Sequence, residues 1–194
     1  MHIGIDLDNT IIDYDGAFKA MACERGLVPP DFSGTKRQLR DHVRSLAGGE
    51  KEWQQLQGYV YGQGIGRAKL FSGVREFMAV AAAHRCQLQI VSHKTEYGHY
   101  DESNTSLREA ARSFLHTQGI SCPVSFADTR GEKVNMIAAL GVEWFIDDLV
   151  EVFEETHFPK TVRKILLHTA GMPAPAGDWQ VCRSWDDITK AIFV

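Results

Sequence analysis

No apolar run in this chain approaches the ~20 residues that a membrane-spanning helix requires, and the first residues lead straight into a strand pattern rather than a charged and then apolar leader. A cytoplasmic protein with no membrane partner is expected. Basic residues are also in deficit: 21 Lys and Arg face 25 Asp and Glu, a formal charge of -4, which gives no electrostatic reason to expect nucleic acid. Cys23, Cys86, Cys122 and Cys182 are scattered without any Cys-x-x-Cys spacing. That argues against a zinc site and fits reduced thiols, with two disulfides left open. Neither an internal repeat nor a low-complexity tract is present.

What the chain does have is alternation. With 194 residues, 44% of them apolar and 24% charged, it can bury one substantial core and carry a small appended subdomain. Ile3-Gly4-Ile5 opens as a strand, and 88–91 is a second. Residues 105–118 then place Leu107, Ala110, Ala111, Phe114 and Leu115 at spacings of three and four, a helical stripe that stops before Gly119. Strand patterns at 123–127, 143–146, 164–168 and, weakly, 180–182 are interleaved with helical ones at 132–140, closed by Gly141, and at 185–193, where Ser184 is the expected N-cap. This order predicts an α/β fold, a doubly wound parallel sheet with helices on both faces.

Residues 14–69 differ. Helical segments at about 15–26, 35–47 and 50–61 are broken by Pro29-Pro30, Gly48-Gly49 and the glycines at 58, 62, 64 and 66. The expected division is therefore an α/β core of residues 1–13 and 70–194 with a small helical cap, 14–69, inserted after the first strand.

The most informative stretch is Asp6-Leu7-Asp8-Asn9-Thr10. In extended backbone, residues two apart point the same way, so both aspartates can face one ligand. Like charges held that close call for a cation or a shared proton. Three further signals fall at strand ends or helix starts: Ser92, Lys133 and the pair Asp147-Asp148. In open parallel sheets, ligands gather at the carboxyl edge of the strands, where such residues converge. Taken singly each has a plainer explanation. A serine after an apolar run ordinarily ends a strand, a surface lysine is common, and Asp147-Asp148 would cap the segment after them.

Taken in order, these residues resemble the motifs of the haloacid dehalogenase superfamily of phosphohydrolases. Asp6-Leu7-Asp8-Asn9-Thr10 is similar to the first motif, Val91-Ser92 to the second, Lys133 to the third and Ile146-Asp147-Asp148 to the fourth. The likeness spans about residues 2–150, and the insertion resembles the family's type-1 helical cap in position and helical character alone. The resemblance implies a Mg²⁺-dependent enzyme. Asp147 would be a direct metal ligand, Asp148 would act through water, and Asp6 and the Asp8 main-chain carbonyl would complete the half-shell.

The chemistry agrees with this. A phosphate ester repels nucleophiles, so its cleavage needs positive charge on the phosphoryl oxygens and an in-line attacking group. Asp6 can attack phosphorus and form an aspartyl-phosphate. Asp8 can protonate the leaving oxygen and later activate water, a role worth roughly 10²–10⁴ in rate. Ser92 and Lys133 would hold phosphoryl oxygens. His93, Lys94, Asn9 and Thr10 are candidate substrate contacts, within a polar stretch, 92–101, longer than a simple turn requires. A metal site of His93, His99 and Asp101 has no distinctive spacing. On the cap, Lys36, Arg37, Arg40 and Arg44 form a basic helical face of the kind usually given to solvent.

The expected function is hydrolysis of a small phosphorylated metabolite, a sugar phosphate being the first guess, by a phosphoric monoester hydrolase. A phosphomutase or phosphotransferase would use the same residues, and Asp8 favours either over dehalogenation, which needs no acid for the leaving group. A phospho-accepting signalling module would place its acidic pair first and its phosphorylated aspartate later, the reverse of the order here. A non-catalytic binding protein would not need chemically competent residues at all four motifs.

Overall fold

The computed structural model describes residues 1–100, 103–169 and 173–194. In chain order the elements are strand β1 (His2–Ile5), strand β2 (Ile12–Asp13), and helices α1 (Asp15–Glu24), α2 (Lys36–Ser45) and α3 (Gly49–Tyr61). Strand β3 (Lys69–Leu70), helix α4 (Val74–Ala83), strand β4 (Gln87–His93), helix α5 (Leu107–Thr117), strand β5 (Val124–Ala127) and helix α6 (Arg130–Leu140) follow. Strand β6 (Trp144–Asp147), the single helical turn α7 (Val150–Phe153), strands β7 (Arg163–Leu167) and β8 (Gln180–Cys182), and helix α8 (Trp185–Phe193) complete the described chain. No helix among the described residues is long and apolar enough to cross a membrane.

The chain groups into two compact units. The first, Met1–Ile12, Leu70–Lys94 and Cys122–Val194, is built on a six-stranded parallel sheet in the order β5-β4-β1-β6-β7-β8. Its central strands are apolar on both faces, as parallel strands covered by helices must be: Ile3, Ile5, Phe145 and Ile146 are fully buried. Gly4 is needed by its neighbour, since a Cβ there would lie 2.5 Å from the Phe145 ring. The chain steps from β1 outward to β4 and β5, then returns to β6 on the other side of β1. The order thus reverses at β1, and the crevice at its carboxyl end is where such sheets bind ligands.

The second unit comprises Asp13–Lys69 together with Thr95–Ser121. Helix α2 begins with a capping box, in which the Thr35 side chain accepts from Gln38 N and the Gln38 side chain accepts from Thr35 N. Trp53 is buried and stacks on Phe18 at 5.2 Å between ring centres, with Tyr14 and Tyr61 edge-on nearby. Trp53 is thus an interior residue of this unit, and Tyr61 is half-buried beside it. The helical stripe of 105–118 predicts a member of the α/β core, whereas α5 groups here. The bare backbone of Gly62 explains its close approach: a Cβ on Gly62 would stand 3.2 Å from Leu107 Cδ2. At the two crossings nearest in sequence to the motif-one turn, β2 and β3 form a separate two-stranded sheet.

Most elements lie within a few residues of their sequence-predicted bounds. Helix α4 is new: its pattern, Val74, Phe77 and Ala81 inward, is carried by only a few large side chains in an alanine-rich segment. All four cysteines are free thiols.

Candidate active site

β1 hands its chain to Asp6, whose N–H donates to Ile146 O at 2.8 Å and so continues the pairing with β6 one residue beyond the strand. The backbone then folds into a tight turn in which Leu7 O accepts from both Ile11 N and Ile12 N, and Asn9 N–H donates to Ile12 O. Asn9 occupies the left-handed region at φ 61°. Among non-glycine residues asparagine adopts it most readily, because its short amide can bond locally. This turn brings Thr10 back over the site, fully buried.

Helix α6 supplies the cation. Thr129 Oγ1 accepts from Glu132 N and fixes the helix start, which places Lys133 in the first turn, where the helix dipole disfavours a positive charge. Two carboxylates outweigh that. Lys133 Nζ donates to Asp6 Oδ1 and to Asp147 Oδ2, both at 2.6 Å, from a side chain 1% exposed. Asp147, the last residue of β6, uses its other oxygen to accept from Leu149 N at 2.9 Å. This is a turn contact and not the helix cap expected from the sequence: α7 has Leu149 as its N-cap, with no side-chain cap bond, because the Asp147 carboxylate is held two residues back by Lys133. Asp148 Oδ1 accepts from Thr10 Oγ1 at 3.4 Å.

One carboxylate oxygen from each of Asp6, Asp147 and Asp148 lies within 4.8 Å of the others. An all-oxygen, all-anionic donor set suits a hard divalent ion, and three crowded carboxylates with Lys133 bonded to two of them are short of positive charge. The Asp6 carboxyl reflects this. It is raised to about 7, by burial above all and by the neighbouring Asp147 and Asp8 carboxylates, with Lys133 opposing the rise. Burial works against the Lys133 ammonium, but Asp147 and Asp6 hold it above its ordinary value, so it stays protonated. The residues present fit a metal ion.

At the end of β4 the alternation of a strand sorts three consecutive residues. Ser92 and Lys94, two apart, are both buried, whereas His93 between them is exposed and meets Asp128 O through Nε2 at 3.1 Å. Lys94 Nζ pairs with Asp8 Oδ2 at 2.7 Å. Of the two residues expected to reach substrate from this segment, Lys94 is thus bound to the motif-one acid and His93 to main chain. The Ser92 hydroxyl is buried with no hydrogen-bond partner among the described residues. The Asp8 side chain stands on Lys94 rather than in the three-carboxylate group, leaving its main-chain carbonyl as the atom expected at a metal. Asp101, the third member of the alternative metal site, lies outside the described residues. The basic residues of α2 are largely engaged within their own unit: Arg40 pairs with Asp41, Arg44 with Glu50, and Lys36 Nζ donates to Tyr61 Oη while lying over the Phe18 ring.

One contact has no signal in the local sequence. Trp185 Nε1 donates to the Thr10 carbonyl at 3.0 Å from the first residue of α8.

The fold, a parallel α/β sheet with paired aspartates at the end of its central strand, a buried lysine and a distal acidic doublet, is similar to that of solved haloacid dehalogenase superfamily hydrolases. In sequence, the chain matches no protein-family model and no curated protein. In structure it is similar to a superfamily hydrolase from Deinococcus radiodurans with bound phosphate and sodium (TM-score 0.60, 12% identity, 98% of this chain and 94% of that one). A subfamily IA hydrolase from Geobacter sulfurreducens is similarly related (0.58, 17%, 98% of each). So is a predicted phosphoglycolate phosphatase from Haemophilus somnus (0.55, 16%, 97% and 96%). At these identities the likeness is one of fold.

Proposed function

We propose that the protein is a Mg²⁺-dependent phosphomonoesterase that hydrolyses a small phosphorylated metabolite, a sugar phosphate being favoured, through an aspartyl-phosphate on Asp6. The observation that carries this reading is the meeting of Asp6, Asp147 and Asp148 within 4.8 Å, with Lys133 bonded to the first two. The bound phosphate of the Deinococcus protein and the phosphatase name of the Haemophilus protein support the substrate class.

Asp6, Asp147 and Asp148, with the main-chain carbonyl of Asp8, would hold the ion. When bound, Mg²⁺ supplies the positive charge that offsets carboxylate repulsion and draws electron density from the phosphoryl oxygens. A carboxylate oxygen of Asp6 attacks phosphorus, and the bond from phosphorus to the leaving oxygen breaks as protonated Asp8 gives that oxygen its proton. Asp8 then takes a proton from water, whose oxygen attacks phosphorus, and the bond to Asp6 breaks to release inorganic phosphate. Lys133 holds Asp6 in line throughout. Ser92 donates its hydroxyl to a phosphoryl oxygen, which satisfies a buried group that unpaired would cost ~1–3 kcal/mol. Lys94 holds the Asp8 carboxylate in place between the two proton transfers.

The test is phosphate release over a panel of phosphorylated metabolites, with and without Mg²⁺, and with Asp6→Asn as a blank. Turnover of at least one substrate that needs both the ion and Asp6 is expected. Release unaffected by Asp6→Asn, or no release from any member of a broad panel, would overturn the reading. Phosphate passing to an added alcohol instead of water would move it to phosphotransfer.

A further inference from the structure

Resting on the phosphatase reading above, we infer that Trp185 is a positioning residue for the metal ligand Asp148, acting from the C-terminal helix through Thr10. Three linked contacts carry this. The indole Nε1–H donates to the Thr10 carbonyl at 3.0 Å, the Thr10 hydroxyl donates to Asp148 Oδ1 at 3.4 Å, and Asp148 shares its carboxylate group with Asp6 and Asp147. Trp185 is 1% exposed and Thr10 0%, so water does not compete for either bond.

The indole is fixed on its own side. Ser184 Oγ accepts from Asp187 N at 3.1 Å and sets the start of α8, so Trp185 is the first residue of the helix. Phe77 packs against the indole at 4.9 Å between ring centres. Gly73 makes the approach possible: it holds φ 90°, and a Cβ there would lie 2.8 Å from Trp185 Cβ. The Thr10 side, in contrast, is a turn whose preceding residue, Asn9, sits in the left-handed region. The bond from Trp185 therefore ties a tight turn to a rigid helix start. Partners that orient a metal ligand typically change metal affinity by about 10–100-fold when lost; one bond further out, a smaller change is expected.

Trp185→Phe keeps the ring against Phe77 and removes only the donor. Mg²⁺ binding measured by calorimetry should weaken about threefold to tenfold, with kcat at saturating Mg²⁺ near the wild-type value. Thr10→Val should weaken it by more. In the Thr10→Val background, Trp185→Phe should add nothing further, because the two act in series. Ile188→Val, a buried change on the same helix, should leave Mg²⁺ affinity unaltered. Unchanged affinity in Trp185→Phe, an equal loss from Ile188→Val, or full additivity with Thr10→Val would each overturn the proposal. Without any variant, one of the four tryptophan indole N–H resonances, assigned to Trp185, should shift as Mg²⁺ is added to the ¹⁵N-labelled protein. Mg²⁺ binding with that resonance unmoved sinks this proposal alone. A wild-type protein that takes up no Mg²⁺ sinks the phosphatase reading and this one with it.

Discussion

Lys94 Nζ lies 2.7 Å from Asp8 Oδ2, and the lysine side chain that makes this pair is 2% exposed. A buried ammonium on the second aspartate gives that carboxylate one fixed orientation. Lys94→Met should therefore lower kcat/KM about 100-fold, the scale of a displaced acid/base, while the protein remains folded. Lys94→Arg, which keeps the charge, should recover part of that. Steady-state kinetics beside circular dichroism would decide it; near-normal turnover in Lys94→Met would remove Lys94 from the chemistry.

The two-fold grip of Lys133 makes the opposite prediction about stability. Lys133→Met strands Asp6 and Asp147 in the interior without their cation, and breaking a buried pair in this way costs about 3–5 kcal/mol. For a chain of this size that is a fall in Tm of roughly 10 °C, larger at pH 8 than at pH 5. Millimolar Mg²⁺ should restore part of the loss, because the ion stands in for the missing charge. Thermal scans with and without Mg²⁺ test both statements, and a Tm within a degree or two of wild type contradicts them.

Asp6 gives the site a pH signature. Its folded value is raised to about 7, against ~3.9 in an unfolded chain, so the folded metal-free protein holds a proton that the unfolded one has released. The stability tied to that proton is full below about 4 and is lost as the pH rises through about 7. Lys133 stays protonated across the whole window. The Tm of the metal-free protein should thus fall from pH 5 to pH 8 by more in wild type than in Asp6→Asn. Apparent Mg²⁺ affinity should climb about tenfold per pH unit below 7 and level off above it, since the ion displaces the proton. Proton release on Mg²⁺ binding, read by calorimetry in two buffers, checks the second point, and a flat affinity profile from pH 5 to 8 refutes it.

At the centre of the sheet, Gly4→Ala would drive a methyl to within 2.5 Å of the Phe145 ring. Neighbours this tightly packed yield little, and overpacking costs about 1–3 kcal/mol. A urea midpoint shifted down, and recovered in part by Phe145→Leu, is the expected result; an unshifted midpoint would mean that the two strands have room to spare.

How far these features were legible follows from their range along the chain. Asp6 and Asp8 could be read because two-residue alternation is local, and the parallel sheet because apolar runs recur between helical stripes. Lys133 was legible by its place in the order of motifs, but its simultaneous hold on Asp6 and Asp147 depends on β1 and β6 being neighbours, which no local pattern states. Lys94 stood among several polar residues of one stretch, and only the burial of its side chain and of Ser92, against the exposure of His93, separates it from them. The Trp185 to Thr10 bond joins residues 175 positions apart, and a tryptophan at a helix start is indistinguishable in sequence from ordinary core. Helix α5 shows a further limit: its stripe reveals that one face is covered, but not by which partner.

The division into units has a practical corollary. The chain passes between them at 12/13, 69/70, 94/95 and 121/122, so the smaller unit is sewn from two separate stretches. Excising 13–69 alone would leave α5 behind with its apolar side stripped of α3. Anyone moving this unit to another scaffold must carry both stretches across together. Two of the four seams abut Ile12 and Lys94, at the ends of the turn and the strand that present Asp8 and its partner, so the choice of splice point there is a choice about the active site.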